Sequence, residues 1–316
     1  MASFKHRIEY QILRGLIGLF RLLPHRAALG SAAGLAWIVH RGFGWRKREA
    51  WRRIREVLPS SSDAEVRTAA WISFRNLWFN AVELIRAGKL SDSHWQRHLD
   101  NQDVVRSLRT ELAGGKGLIV ALVHAGNWDL AGVWTSRHGI PGIFIARSQK
   151  NPLVNGLMNQ FREMTGALVV DRDDPHLVRK VVRALKEGRM LAILIDLRAR
   201  TAGLNLPYLG GRAEVGAGLA AIAQLSGAPV LPVFLRRSGW QNHGWECGRA
   251  VRFEAGRDKE EERARIMREC LDWLGQRVLS EPSQYFWYNK RWVLEPFPPV
   301  AVGDPGARTG TGEALP

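Results

Sequence analysis

Acidic residues are in short supply. The 316-residue chain has 30 Asp and Glu against 46 Lys and Arg, with a formal charge of +16 and a pI near 10.8. That imbalance implies an anionic partner: phospholipid headgroups, nucleic acid or an acidic protein. Cysteine is scarcer still. Cys247 and Cys270 show no metal-ligand spacing and no disulfide framework, so two free thiols in a reducing compartment are expected. Long apolar runs are missing too. Arg14 interrupts the first apolar stretch near its middle, and no small-residue cleavage site cleanly follows it. Neither a spanning helix nor a cleavable signal peptide is therefore read there, and the bulk of the chain is expected to face the cytoplasm. A hydrophobic content of 46% excludes a polytopic membrane protein. The P-loop and dinucleotide fingerprints are absent, which argues against nucleotide binding. There is no internal repeat.

Other features are abundant. Thirteen Trp against four Tyr suit a protein that touches a bilayer interface, although indoles also fill cores. Residues 4–23 read as a basic amphipathic helix. Arg7, Arg14 and Arg21 recur every seven residues, with Ile12, Leu13, Leu16, Leu19, Phe20 and Leu23 on the other side. This pattern fits a helix lying at an anionic membrane surface, the alternative being a helix packed on the protein's own core. A second apolar segment, Ala27–Val39, follows Pro24, and the two are expected to form a helical hairpin in one leaflet. The stretch Arg41–Arg55 interleaves arginines with Trp45 and Trp51, as either a membrane surface or single-stranded nucleic acid would demand. Residues 1–58 are accordingly read as a membrane-associated helical region, 59–299 as an α/β domain, and 300–316 as a disordered tail rich in Gly, Pro and Thr.

The centre of the chain is Gly117–Asp129. Leu118–Val123 is an unbroken apolar run suited to a strand buried on both faces, and Asn127 can cap the helix that Trp128 begins. His124 then sits at the carboxyl end of a buried strand, where open α/β sheets place their ligands. Asp129, five residues on, is expected to reach back to an imidazole nitrogen and leave the other free to take a proton. A satisfied polar pair at a sheet edge is the alternative. Further strands are expected at Gly142–Ala146, Ala167–Val170, Met190–Ile195 and Val230–Leu235. Helical patterns between them predict a mostly parallel sheet flanked by helices.

Asp196 closes the strand Met190–Ile195 as His124 closes Leu118–Val123, so the two should face one crevice. Arg198 and Arg200 follow, making Asp196 either a salt-bridge partner or a catalytic group. In Leu206–Gly218, Gly210 and Gly211 permit a sharp turn that presents Arg212, and Glu214 is expected to cap or flank the next helix. Arg147 and Arg162 are candidates for pairing with phosphate on an acceptor, or ordinary solvated arginines. Glu281–Trp292 concentrates aromatic rings beside Lys290 and Arg291, a composition suited to a cleft edge at a lipid surface.

His-x4-Asp after a hydrophobic strand resembles the signature of the glycerolipid (lysophospholipid) acyltransferase superfamily. The fuller HAGNWDLAG is similar to the branch of bacterial lipid A late acyltransferases and phosphatidylinositol mannoside acyltransferases. Arg48–Leu58 and Phe74–Glu83 resemble that family's N-terminal helical region. LPYLGGRAEVGAG resembles its proline–aromatic–glycine loop, and EPSQYFWYNKRW its C-terminal aromatic block. Two departures stand out: Ala146-Arg147-Ser148 replaces the usual Tyr-Arg-Pro, and Gly216-Ala217-Gly218 the usual Gly-Pro-Ala.

The resemblance implies a monotopic enzyme on the cytoplasmic side of the inner membrane. It would move an acyl group from an acyl carrier protein or coenzyme A thioester to a hydroxyl of a lipid A precursor, phosphatidylinositol mannoside, aminolipid or related glycolipid. His124 would be the general base and Asp129 its orienting acid, with Arg147, Arg162, Asp196, Arg212 and Glu214 binding substrate. No metal and no cofactor beyond the donor thioester is implied, and no nucleic acid is expected. A non-catalytic basic membrane- or nucleic-acid-binding protein is the competing reading.

Overall fold

The computed structural model describes residues 3–146, 149–163 and 166–294. The segment 300–316, expected to be disordered, and Arg147 lie outside the described residues. Two helices open the chain, α1 (Phe4–Leu22) and α2 (His25–Ile38), followed by α3 (Lys47–Val57) and the long α4 (Asp63–Arg86). Helix α4 starts on a capping box in which Ser62 and Glu65 satisfy each other's backbone N–H groups. Next come α5 (Asp92–His98), the two-residue β1 (Leu99–Asp100) and α6 (Gln102–Leu112).

The alternating part then begins: β2 (Leu118–Leu122), α7 (Trp128–Arg137), β3 (Gly142–Ala146), α8 (Pro152–Glu163), β4 (Leu168–Asp171), α9 (Leu177–Lys186) and β5 (Met190–Leu194). A hairpin of β6 (Leu204–Tyr208) and β7 (Gly211–Val215) leads to α10 (Gly218–Ser226), β8 (Val230–Ser238), β9 (Asn242–Cys247) and α11 (Lys259–Ser280). The seven-stranded sheet runs β1-β9-β8-β2-β5-β3-β4, with every pairing parallel except β8 with β9. This is the mostly parallel, helix-flanked α/β sheet that the alternating pattern predicts.

All five residues of β2 are buried, as a central parallel strand requires. Strand alternation divides them between two cores. Ile119 and Ala121 join the face covered by α4, α9, α10 and α11, while Leu118, Val120 and Leu122 face α6 and α7.

The first two helices are tied to the rest. Phe20 of α1 and Ala28, Leu29 and Ala32 of α2 pack against Phe79 and Val82 of α4, and Arg21 Nε donates to the carbonyl of Ile85 at 3.1 Å. The other face of α1 is uncovered: Phe4, Ile8, Ile12, Leu16 and Leu19 form an exposed stripe about four residues apart. Trp37 and Ile38 at the end of α2, and Phe43 and Trp45 after it, are exposed as well. Among the described residues no helix is long and apolar enough to cross a membrane.

Three expectations are corrected. The aromatic block near the end is core rather than cleft edge: Tyr285, Trp287, Tyr288 and Trp292 are almost fully buried. Arg53, from the stretch read as a lipid or nucleic-acid surface, is buried as well. It donates to the carbonyls of Trp287 (2.7 Å) and Asn289 (2.8 Å) and stacks on Trp292, so its charge holds this C-terminal block in place. The glycine-rich stretch is a β-hairpin, with Leu209 and Gly210 at positive φ (48° and 77°) forming its tight turn. Glu214 therefore lies on β7, and α10 is preceded by Ala217 instead.

Candidate active site

Strand β2 ends at Leu122, and the next residues turn sharply beneath the start of α7. Gly126 is required in that turn: its φ is 59°, and a Cβ there would lie 2.5 Å from the carbonyl oxygen of Leu235. The turn holds His124 by three separate bonds. Its backbone N–H donates to Asp196 Oδ2 (2.9 Å), its ring Nδ1 meets Asp196 Oδ1 (2.7 Å), and its carbonyl accepts from the N–H of Phe286 (2.7 Å). The indole of Trp128 packs edge-on to the imidazole, ring centroids 5.1 Å apart.

Asp196 reaches His124 because β2 and β5 are parallel neighbours in register. Leu122 and Leu194, the last residues of the two strands, pair with each other, so the segments leaving the strands start side by side. The Asp196 side chain is fully buried and that of His124 is 13% exposed. A carboxylate on Nδ1 makes that nitrogen the donor and leaves Nε2 as the acceptor, the state a general base needs. The buried phenols of Tyr208 and Tyr285 flank this carboxylate. Burial raises both hydroxyls well above 10, and the charge of Asp196 raises them further, so both stay neutral.

This geometry corrects the expected partner on Nδ1. The carboxylate there belongs to Asp196, because sheet pairing delivers it along the neighbouring strand. Asp129 sits exposed in the first turn of α7. Asp196 bonds His124 through both of its oxygens. Arg212 is exposed and bonds to Asn205 within the hairpin (2.6 Å). Glu214 Oε1 accepts the N–H of Gly203 in the segment leading into β6 (3.2 Å). Arg162 lies on α8.

A polar network that sequence reasoning missed supports the turn from below. Asn127 caps α7 by accepting from the N–H of Leu130 (3.0 Å), and its amide donates to Glu83 Oε2 (2.7 Å). Asn80 Nδ2 donates to the carbonyl of Gly126 (2.6 Å) and its Oδ1 accepts from Arg237 (3.0 Å). Gln284 receives the backbone N–H of Arg237 on its side chain and that of Gly126 on its carbonyl. At the centre Arg237 grips both oxygens of Glu83. Burial would raise the Glu83 carboxyl, but Arg237 and His243 outweigh it and hold it well below the carboxylate range. Burial lowers His243 below its ordinary value, with the Glu83 charge opposing it. The signal was a polar i, i+3 pair, Asn80 and Glu83, within an otherwise apolar helix pattern.

Below His124, on the α6–α7 side of the sheet, lies a narrow apolar cavity. Val120, Leu122, Trp128, Gly132, Phe144 and Leu235 line it. Trp128 lines this cavity and also packs against the imidazole. An acidic partner on one ring nitrogen and a free opposite edge suit proton abstraction.

The chain is similar to known acyltransferases. The phosphatidylinositol mannoside acyltransferase of Mycolicibacterium smegmatis (strain ATCC 700084 / mc(2)155) is 23% identical over 282 residues, spanning 88% of this chain and 89% of the relative. Its counterpart in Mycobacterium tuberculosis (strain ATCC 25618 / H37Rv) is also 23% identical, over 87% of this chain and 85% of the relative. The lipid A biosynthesis lauroyltransferase of Escherichia coli (strain K12) is 22% identical over 296 residues, covering 89% and 90%. The model of the family described as bacterial lipid A biosynthesis acyltransferase matches residues 2–293, which include the His124 turn, Asp196 and the buried aromatic block; the chain belongs to that family of acyltransferases.

Proposed function

We propose that the protein transfers a fatty acyl group from a thioester, carried by acyl carrier protein or coenzyme A, to a hydroxyl of a membrane glycolipid. A lipid A precursor is the first candidate acceptor, and a phosphatidylinositol mannoside or aminolipid the second. The observation that carries this reading is the His124–Asp196 pair beside an apolar cavity. The acyl tail lies in the cavity and its carbonyl carbon reaches the imidazole edge. Nε2 removes the proton from the acceptor hydroxyl as its oxygen attacks that carbon. The tetrahedral oxyanion then collapses, the carbon–sulfur bond breaks, and the imidazolium returns its proton to the departing thiolate.

Asp196 orients the ring and stabilises the imidazolium, and Asp129 shares the second task through its charge. N–H groups of the first turn of α7, with Arg147, are assigned to the oxyanion. Arg162, Arg212 and Glu214 are assigned to the substrate's polar parts. A positioned general base supplies roughly 10²–10⁴-fold in rate. The remainder comes from holding donor and acceptor together and from stabilising the oxyanion.

The bare apolar stripe of α1 and the exposed side chains around Trp37 and Phe43 rest on the cytoplasmic leaflet of the inner membrane. The excess of positive charge draws the protein to anionic lipid and favours an acidic donor protein. The test is acyl transfer by purified protein in mixed micelles. Wild type should form acylated glycolipid and His124→Ala should form none, while vesicle binding is retained. Full transfer by His124→Ala would refute the assigned base.

A further inference from the structure

Four imidazoles meet beside the buried Glu83–Arg237 pair. His25 is the first residue of α2, His94 and His98 lie one turn apart on α5, and His243 is on β9. The rings of His25 and His94 pack edge to face with centroids 5.0 Å apart, and those of His94 and His98 are 4.5 Å apart. His98 Nδ1 meets Asn242 Oδ1 at 2.7 Å, and His243 Nε2 meets Glu83 Oε1 at 3.1 Å. All four line one small cavity together with Glu83, Trp95 and Gln241. Its volume is about 10 Å³, room for one water at most. The proposed acyl transfer uses none of these rings.

This enclosure suits neutral rings. Glu83 is the one carboxylate among the described residues lining the cavity, and both its oxygens are already held by Arg237. Cations surround the group: Arg237 from β8, Arg86 from α4 and Arg97 from α5. His25 also sits at the amino end of its helix, where the peptide dipoles oppose positive charge. Burial comes first in lowering His25, from 6.5 to about 4, and His94, Arg86 and Arg237 add to it against the attraction of Glu83. Burial is also the largest cause lowering His94 and His243, again with Glu83 opposing it. A proton on any of these rings is a charge that one water cannot hydrate.

We infer that His25, His94, His98 and His243 form an acid-sensitive latch that closes α5 and the start of α2 over Glu83. Neutral, the rings pack together and the two elements stay shut. Protonated, like charges in one cavity push α5 and α2 apart, and water reaches the Glu83 network that supports the His124 turn through Asn127. The latch goes beyond the acyl-transfer reading and does not depend on it. An open state binds these protons more readily, so closure is complete above about pH 6.5 and weakens as pH falls toward 4. His25 alone shifts the opening equilibrium roughly thirtyfold between pH 7.5 and pH 5.

The experiment is hydrogen exchange of the full chain at pH 7.5 and pH 5, corrected for intrinsic rates and read by mass spectrometry. In wild type, opening of residues 25–30 and 91–98 should rise about thirtyfold at pH 5, with residues 124–130 following. Helix α9 holds no histidine and should change little. His25→Gln and His94→Gln each remove a titrating ring and should cut the rise several-fold, and the double variant should cut it further. Melting at pH 7.5 checks that the variants fold, and a pH slope is readable even where one of them is less stable. His138→Gln removes another histidine lowered by burial, outside this cavity, and should keep the wild-type rise. An equal rise in α9, or the same pH dependence in every variant, would overturn the latch. Opening that leaves residues 124–130 protected would overturn its link to the His124 turn. No substrate is present, so failure here leaves the acyl-transfer reading standing.

Discussion

Asp196 gives its two carboxylate oxygens to two different groups of His124, one to the backbone N–H and one to the ring nitrogen Nδ1. A carboxylate bonded only to the ring would leave the imidazole free to swing about its own backbone. Bonding both fixes where the residue sits and which way its ring points. The same pair of bonds ties the segment after β2 to the segment after β5.

Replacing that carboxylate should therefore affect rate more than binding. Asp196→Asn offers an amide where Nδ1 needs an acceptor that stabilises positive charge, and kcat should fall by about 10²–10⁴-fold. KM should change little. Asp129→Asn should cost less, because its carboxylate is not the one on Nδ1. Steady-state kinetics of the two variants side by side provide the check. A larger loss from Asp129→Asn would return the orienting role to the motif's own acid.

The cavity predicts control of acyl length. A Cβ placed on Gly132 would lie 2.2 Å from the ring tip of Phe144, so any side chain there must push that ring aside. Both residues line the cavity. Gly132→Val should shift the preferred donor toward chains shorter by several carbons while leaving His124 untouched. Competition between mixed thioesters, read by mass spectrometry of the product, measures this. An unchanged chain-length profile would place the acyl tail elsewhere.

The network under the His124 turn predicts a large and non-additive stability effect. Arg237→Met leaves the Glu83 charge buried without its guanidinium and should cost about 3–5 kcal/mol. Glu83→Gln combined with Arg237→Met should cost less than the sum of the two single changes. Urea unfolding of all four proteins gives the coupling. Strict additivity would mean that the pair does not act as a unit.

Acid should loosen the C-terminal block. His40 is buried, its Nε2 lies 3.0 Å from the Tyr288 hydroxyl, and its pKa is lowered from 6.5 to about 4 by burial and then by Lys47 and Arg41. A base with a depressed folded pKa binds more protons unfolded. Stability from His40 is therefore complete above pH 6.5 and lost as pH falls from 6.5 toward 4, by at most about 3 kcal/mol. Melting temperatures across this range should fall less steeply in His40→Gln. Parallel curves for the two proteins would exclude His40 as a source of the slope.

Membrane contact should depend on the uncovered stripe of α1. Ile12→Asp and Leu16→Asp place charge on the exposed apolar face and should weaken binding to anionic vesicles several-fold, while melting temperature stays within a few degrees. Raising salt should weaken wild-type binding as well. Retention on vesicles by the doubly substituted protein would assign the contact to another surface.

Much of the scaffold was readable because local rules govern it. The β-branched run before His124, the capping pair Ser62 and Glu65, and the apolar spacing of α9 each announce an element within a few residues. Gly142–Ala146 was expected as a strand and is one over the same residues. The β6–β7 hairpin escaped because Gly210 and Gly211 suggested a loop, while the pairing of Leu206 with Ala213 and Pro207 with Arg212 involves residues without strand character. Strand β9 and helices α5 and α6 were missed for the same reason: their positions depend on what they pack against.

The amino-acid order by itself determined that a histidine would end a buried strand, that Asn127 would open a helix behind it, and that Asp196 would end another strand of the same sheet. These outcomes follow from side-chain size, branching and capping, all felt over one or two turns of chain. Tertiary structure alone decided which acid holds the imidazole, since that depends on which strands become neighbours. It also turned the C-terminal aromatics inward and placed Glu83 against Arg237, 154 positions away. Burial and register are properties of the assembled sheet and helices, and no stretch of sequence carries them before the strands have met.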